Sequence, residues 1–277
     1  MRFVKMHGLG NDYVYVNCFE ETIKEPEILA KKVSDRHFGV GSDGLILICP
    51  SKKADFRMEI YNSDGSRAEM CGNGIRCVGK YVYDRGLTKK QNLRIETLAG
   101  IRELVLHTRA GIVESVTVDM GYPVLQSDKI PIISANDRVI REKINIYKTE
   151  YEITGVSMGN PHVAIYVSHV KWVDLDRIGP EIEYYGRFPR RTNVEFVEVI
   201  DRSTIKVRVW ERGAGETLAC GTGACAAVVA SVLNDLTDRQ VTVELKGGDL
   251  SVIWNEKDGK VYMTGPATTV YDGEFPL

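Results

Sequence analysis

Met70-Cys71-Gly72-Asn73-Gly74 and Ala219-Cys220-Gly221-Thr222-Gly223 set a cysteine, two glycines and a helix start in the same arrangement twice within 277 residues. A sulfur just ahead of a helix lies where unpaired N–H groups and the positive end of the helix dipole favour an anion. Such surroundings lower a thiol's pKa from its usual value of about 8.5. The glycines remove side chains, so a carboxylate can approach the same N–H groups. Two thiols presented to one carbon from opposite sides could invert a stereocentre by proton transfer. One, as thiolate, removes the α-proton; the other, as thiol, returns a proton on the opposite face, and the roles exchange in reverse. Helix ends converging on the neighbouring carboxylate would stabilise the charge that builds there during deprotonation. That chemistry needs no cofactor. The chain shows no pyridoxal-lysine context, and Gly8-Leu9-Gly10 lacks the third glycine of a dinucleotide loop.

The offset of 149 that relates Cys71 to Cys220 also sets Gly10-Asn11 over Gly159-Asn160, Asn62 over Glu211, Gly44 over Asn193 and Val14 over Val163, without a gap. One register kept over so many positions reads as a duplicated domain. Asn11, Asn62, Asn160 and Asn193 fall at strand ends or turns, where a single asparagine most often makes local turn bonds. Their pairing through the repeat shifts the reading towards ligand binding, since amides both donate and accept and so suit a zwitterionic amino-acid group. Glu211-Arg212 offers both charges that a second such group would need. His162 follows Asn160-Pro161 at a strand entry and either orients a thiol or substrate or is a satisfied structural histidine; His7 has the same two readings.

Cysteines in this pattern also admit other roles. A single buried cysteine is most often a small core hydrophobe, which is the reading for Cys18, Cys49, Cys77 and Cys225. Cys71-x5-Cys77 and Cys220-x4-Cys225 do not match tight zinc-knuckle spacing, and no histidine is suitably placed, so no metal site is expected. A redox dithiol of Cys71 with Cys220 is the third alternative. One such cysteine element is weak evidence; two in register, each opening a helix, carry the argument.

The elements that must position these groups are mostly strands. β-branched runs recur at 3–6, 13–17, 44–49, 56–61, 93–97, 103–107 and 113–120, and again at 152–157, 163–167, 194–200, 205–210, 241–245, 250–254 and 260–264. Ser63-Asp64-Gly65, Ala99-Gly100, Gly247-Gly248 and Asp258-Gly259 supply turns between them. Helices are predicted over 25–33, on the surface, and over 75–84 and 224–233, one after each cysteine element. The last of these is apolar nearly all round and should lie in the middle of its sheet. The predicted fold is α/β of the α+β kind: two pseudo-symmetric domains, each a mostly antiparallel strand barrel around a central helix. The expected division is 1–120 with 266–277 for the first domain, whose tail adds a strand, and 121–265 for the second.

Composition bounds the rest. With 43% hydrophobic residues the chain can bury two ordinary cores. A net charge of −2 from 36 basic and 38 acidic residues, without a like-charge run, argues against nucleic acid. The N-terminus turns polar too early for a signal peptide. The longest apolar stretch, 224–233, is far short of the roughly 20 residues a membrane helix needs. Six cysteines without a dense framework fit reduced thiols. A cytoplasmic protein with no membrane partner is expected, and the sequence admits a homodimer without fixing the oligomeric state.

With those residues in view, the sequence closely resembles the diaminopimelate epimerase family. The resemblance rests on HGLGNDY at 7–13, DRHFGVGSDGL at 35–45, YNSDGSRAEMCGNGIRC at 61–77, GNPH at 159–162, TNVEF at 192–196 and ERGAGETLACGTGAC at 211–225. It covers essentially the whole chain and implies a cofactor-independent isomerase of lysine and peptidoglycan biosynthesis that interconverts LL- and meso-diaminopimelate. By motif it implies Cys71 and Cys220 as the proton-transfer pair and backbone binding of the reacting carboxylate at Gly72, Asn73, Gly221 and Thr222. It further implies substrate contacts from Asn11, Asn62, Asn160, Asn193, Glu211 and Arg212, with His162 and Glu211 tuning the site. One departure stands out: some members carry glutamine where this chain has Gly44, which leaves only backbone there. Proline and hydroxyproline racemases are the nearest rivals; they tend to carry histidine at the place of Asn73 and lack the ERGAGET run. Phenazine-type isomerases do not keep both cysteines. A thiol-redox or amino-acid-binding protein is the rival from another class.

Overall fold

The computed structural model describes residues 1–276. In chain order its elements are β1 (Arg2–Gly8), β2 (Asn11–Asn17), α1 (Pro26–Ser34), β3 (Gly44–Cys49), β4 (Phe56–Asn62), β5 (Arg67–Ala68), α2 (Gly72–Asp84), β6 (Asn92–Thr97), β7 (Gly100–Arg109) and β8 (Ile112–Gly121). There follow β9 (Glu142–Ile146), β10 (Thr149–Ser157), β11 (Pro161–Tyr166), α3 (Leu175–Glu183), β12 (Asn193–Asp201), β13 (Thr204–Glu211), β14 (Gly215–Thr217), α4 (Gly221–Leu233), β15 (Gln240–Leu245), β16 (Gly248–Trp254), β17 (Val261–Pro266) and β18 (Thr268–Glu274). The chain divides into two compact units, Met1–Asp119 with the stretch from Thr264, and Met120–Met263.

In the first unit β18, β1, β2, β3, β4, β6, β7 and β8 follow one another by hydrogen bonding. The pairs β2–β3 and β4–β6 are parallel and the others antiparallel. In the second unit the order is β9, β10, β11, β12, β13, β15 and β16, with β11–β12 and β13–β15 parallel. The pairing scheme is thus the same in both, down to the short strands β5 and β14, which add to β4 and β13. Register repeats as well: Tyr13 lies opposite Gly44, and His162 opposite Asn193.

Each sheet has a helix against either face, and this decides where side chains point. On the outer face, Leu29, Ala30 and Val33 of α1 pack on Val14, Val16, Leu45 and Leu47. In the second unit, Leu175 and Ile182 of α3 pack on Val163, Ile165, Val194 and Phe196. Burying such side chains contributes about 1.5–3 kcal/mol each. Because successive residues of a strand alternate faces, Asn11, Tyr13 and Tyr15 of β2 turn towards α2, and His162 of β11 and Glu195 of β12 turn towards α4. The α4 helix is wrapped by β10, β11, β12, β13, β15 and β16. Its residues 223–231 are all buried, as its apolar circumference predicts. The α2 helix lets β7 come close at Gly79, where a Cβ would meet Leu106 Cδ2 at 2.9 Å and Leu104 Cδ2 at 3.0 Å.

The helices differ from the sequence expectation in two respects. The α3 helix was not predicted because Gly179-Pro180 interrupts its interior. The glycine is there for contact, since a Cβ would lie 2.4 Å from the Trp210 ring. The central helices also begin three residues earlier than predicted, at Gly72 and Gly221, so that each cysteine is itself the N-cap.

Candidate active site

In the first unit Cys71 has extended backbone (φ −139°, ψ 116°), and its sulfur accepts the Gly74 N–H at 3.3 Å. The thiol donates to Asn11 Oδ1 at 3.3 Å. Asn11 is held in that sense because its Nδ2 donates to Asp43 Oδ2 at 2.8 Å. Asp43 is in turn tied to Arg36 at 3.0 Å and to the Asp12 N–H at 3.1 Å. The turn that delivers Asn11 requires Gly10 at φ 87°, and its repeat requires Gly159 at φ 99°. Asn73 is buried in the first turn of α2, and Gly8 lies so close that a Cβ there would meet Asn73 Cβ at 3.1 Å. Asn62 lies opposite Gly44 at the end of β4 and gives its amide to Ser66 Oγ at 3.0 Å, the local turn bond that asparagine favours. Gly44 has no room for any side chain: a Cβ would stand 2.2 Å from the Tyr61 carbonyl oxygen and 2.9 Å from Tyr13 Cε1.

The second unit builds a continuous chain of hydrogen bonds to its cysteine. Glu195 Oε1 meets His162 Nδ1 at 2.6 Å, and His162 Nε2 meets Asn160 Oδ1 at 3.0 Å. Asn160 Nδ2 donates to Thr222 Oγ1 at 3.3 Å, and Thr222 Oγ1 lies 3.5 Å from Cys220 Sγ. The sulfur also accepts the Gly223 N–H at 3.4 Å. An amide oxygen facing Nε2 requires a proton on that nitrogen, so the second proton of the pair lies between Nδ1 and Glu195. Burial raises the Glu195 pKa, His162 opposing it. Together the two side chains hold no net charge in either placement of that proton.

Helix-end stabilisation does not prevail at Cys220, which corrects the expectation of a lowered pKa there. Burial pushes this thiol well up, and the Glu211 and Glu195 carboxyls push the same way. The Thr222 hydroxyl and the Gly223 N–H pull down but are outweighed. Cys220 therefore holds its proton.

The remaining residues implied by motif are placed as follows. Glu211 ends β13 and accepts the Thr217 hydroxyl. Asn193 is held at both ends of its amide, donating to the Pro161 carbonyl at 2.7 Å and accepting the Arg212 N–H at 2.9 Å. It thereby fixes the backbone from which Arg212 projects. Arg212 is exposed, donates to the Arg190 carbonyl at 2.9 Å and, among the described residues, is in no ion pair. Gly221 opens α4 beside Cys220 and Gly72 opens α2 beside Cys71. Glu195 was missed from the sequence; in Val194-Glu-Phe-Val-Glu-Val199 it reads as the outward position of an alternating strand, yet it faces the central helix. Among the described residues no cluster of three or more His, Cys, Asp or Glu side chains could hold a metal, and no helix is long and apolar enough to cross a membrane.

Two repeats, each a strand sheet wrapped round a cysteine-capped helix, define a fold shared with a probable proline racemase from Agrobacterium radiobacter. That structure is similar with a TM-score of 0.75, covering 100% of this chain and 93% of the other at 14% identity, a likeness of fold alone. Sequence likeness is far closer elsewhere. The chain is 61% identical to a diaminopimelate epimerase of Acetivibrio thermocellus, covering 100% of this chain and 99% of that protein. It is 57% identical to one of Methanococcus maripaludis over the full length of both. The family model for diaminopimelate epimerase matches residues 3–126 and 154–270. The chain belongs to the diaminopimelate epimerase family.

Proposed function

We propose that this chain interconverts LL- and meso-diaminopimelate in the cytoplasm, with Cys71 and Cys220 as a two-base pair and no cofactor. The single observation that carries the reading is the repeated capping of a central helix by cysteine. In each unit the sulfur accepts a first-turn N–H, at 3.3 Å for Cys71 and 3.4 Å for Cys220, and an asparagine from the neighbouring strand entry stands close by. In the proposed reaction the Cys71 thiolate takes the α-hydrogen as a proton, leaving the electron pair delocalised into the α-carboxylate. The Cys220 thiol gives its proton to the opposite face and becomes thiolate. One S–H bond forms, one breaks, and the α-carbon is inverted.

The first-turn N–H groups at Gly72, Asn73, Gly221 and Thr222 are assigned to the carboxylate, where dipole and donors act together. Asn11 and Asn160 are assigned to the reacting end. Asn62, Asn193, Glu211 and Arg212 are assigned to the distal amino-acid group, whose two charges need a guanidinium and a carboxylate. The protonated state of Cys220 supports its role as acid in this direction; the reverse direction requires the proton to pass the other way, and Thr222 is in place to donate to the resulting thiolate.

Incubation in deuterated water tests the reading. Deuterium at the α-carbon of LL-diaminopimelate with formation of the meso isomer is expected, and none with L-proline. Exchange of proline alone would move the chain to the racemase reading, and exchange of neither would remove the isomerase.

A further inference from the structure

The repeat sets Tyr13 over His162 and Ile46 over Glu195, so the thiol pockets of the two units share a scaffold and differ in their polar groups. In both, the residue two places after the strand-entry asparagine turns towards the central helix. In the second unit this is His162, backed by Glu195; a Cβ on Gly223 would meet Glu195 Oε1 at 2.7 Å and Cys220 Sγ at 3.3 Å. In the first unit, a Cβ on Gly74 would meet Ile46 Cδ1 at 2.6 Å and Cys71 Sγ at 3.5 Å. The first pocket thus has no titratable dyad at this place, and what it has instead is a phenol.

Tyr13 is buried, and its ring is fixed from two sides. It stands edge-on to Tyr15 with centroids 6.4 Å apart, and its Cε1 occupies the space a side chain on Gly44 would need. Tyr15, on the same face of β2, reaches the Gly74 carbonyl with its hydroxyl at 3.4 Å. Asn11, also on that face, reaches Cys71 Sγ. Tyr13 lies between them on the same face, and Cys71 and the Asn11 side chain both act on its hydroxyl. We propose that Tyr13 is a positioning residue for the Cys71 sulfur, its hydroxyl donating to the thiolate form, and that it stands where the second unit has His162.

The argument is one of complementary partners. Asn11 Oδ1 faces the sulfur because its amide nitrogen is committed to Asp43. An acceptor there favours the thiol, which can donate to it, and disfavours the thiolate. The Tyr13 hydroxyl and the Gly74 N–H are donors and favour the thiolate. Tyr13 remains a donor because burial, Cys71 and Asp43 all raise its pKa. Tyr15 from β2 and Cys77, nearly two turns along α2, also interact with this sulfur. At the same helix end Arg76, also buried, donates to the Gly72 carbonyl at 3.2 Å. Tyr13 offers this sulfur a neutral donor from outside its own helix.

The role of Cys71 in catalysis rests on the proposed function; the effect of Tyr13 on the sulfur does not, so the test reads the sulfur. The pH dependence of iodoacetamide labelling is followed separately at Cys71 and Cys220 by peptide mass spectrometry, in the full chain and in Tyr13→Phe. Phenylalanine keeps the ring against Tyr15 and Gly44 and removes only the hydroxyl. The expected result is a Cys71 midpoint about one pH unit higher, with labelling about tenfold slower below it, and no change at Cys220. Replacement of Tyr13 by 3,5-difluorotyrosine, a stronger donor of nearly the same size, is expected to move the Cys71 midpoint down. An unchanged Cys71 midpoint in both variants, or equal shifts at Cys71 and Cys220, would overturn the proposal. Loss of deuterium exchange in the unaltered chain with an intact Cys71 shift would defeat the epimerase reading and leave this one standing.

Discussion

Glu195 Oε1 lies 2.6 Å from His162 Nδ1, and neither side chain has any exposure to solvent. The other carboxyl oxygen, Oε2, is buried with no hydrogen-bond partner among the described residues. An ionised carboxylate would leave that oxygen unsatisfied at high cost, whereas a shared proton lowers the charge it carries. The dyad is therefore best understood as two groups holding one proton more than a separated carboxylate and neutral imidazole would.

That extra proton has a consequence for stability. A carboxyl whose folded pKa is raised binds its proton in the folded state above the unfolded value of about 4.3. Stability contributed by this group is then present at low pH and lost as pH rises through the folded pKa. Glu195→Gln keeps the shape and removes the titration. The unfolding free energy of the unaltered chain relative to Glu195→Gln should fall with pH above about 4.3, by at most about 1.4 kcal/mol per pH unit. Urea unfolding of both proteins between about pH 5 and pH 8 measures it. A difference that is flat or rises over that range contradicts the shared proton.

Thr222 joins the dyad's hydrogen-bond chain to sulfur. Its hydroxyl is one of the two groups that pull the Cys220 thiol down against burial. Thr222→Val preserves volume and deletes that hydroxyl. The Cys220 labelling midpoint should move higher still, and kcat/KM should fall about tenfold, the worth of one hydrogen bond to a charged sulfur. Unchanged labelling with unchanged kcat/KM would show that the contact is idle.

The two glycines that follow the cysteines are not equivalent. A Cβ on Gly74 meets the end of the Ile46 side chain, which can rotate away, whereas a Cβ on Gly223 meets Glu195 Oε1, which His162 holds in place. Alanine inside a helix is otherwise favoured over glycine by about 1 kcal/mol. Gly74→Ala should be near neutral in stability. Gly223→Ala should cost about 1–3 kcal/mol through overpacking and weaken epimerisation. Thermal melts of the pair decide it, and equal losses would mean that Glu195 yields as easily as Ile46.

Sequence made the duplication, the strand-rich fold and the two central helices legible because each rests on a pattern of residue types. The all-apolar face of Ala224–Leu233 could belong only to a helix buried in its sheet. The register of Cys71 with Cys220 pointed to the candidate site. What remained hidden was set by facing rather than by type. Glu195 and Tyr13 sit in strands buried on both sides, where alternation no longer separates inside from outside. The Asn62 and Asn193 amides, read as ligand groups, turn out to have backbone or turn partners as well. The state of the Cys220 thiol depends on burial and on two carboxyls brought in from β12 and β13, which no local spacing reveals.

Cys71→Ala and Cys220→Ala should each abolish epimerisation while retaining α-hydrogen exchange with a single stereoisomer, a different one in each variant. A base on one face can remove a proton and return one from solvent to the same face, which exchanges hydrogen without inverting the centre. Inversion needs a second acid opposite, so neither variant can complete it. A single mobile base, or a water serving as the second acid, would let one variant keep inverting. Alanine leaves each helix without its sulfur cap, at a cost of about 0.5–2 kcal/mol, so both variants are first checked for unaltered folding by circular dichroism. The measurement is stereochemically resolved deuterium incorporation with purified LL and meso substrate. Exchange with both isomers at similar rates in either variant, or continued inversion, would eliminate the two-base mechanism while leaving the family unchanged.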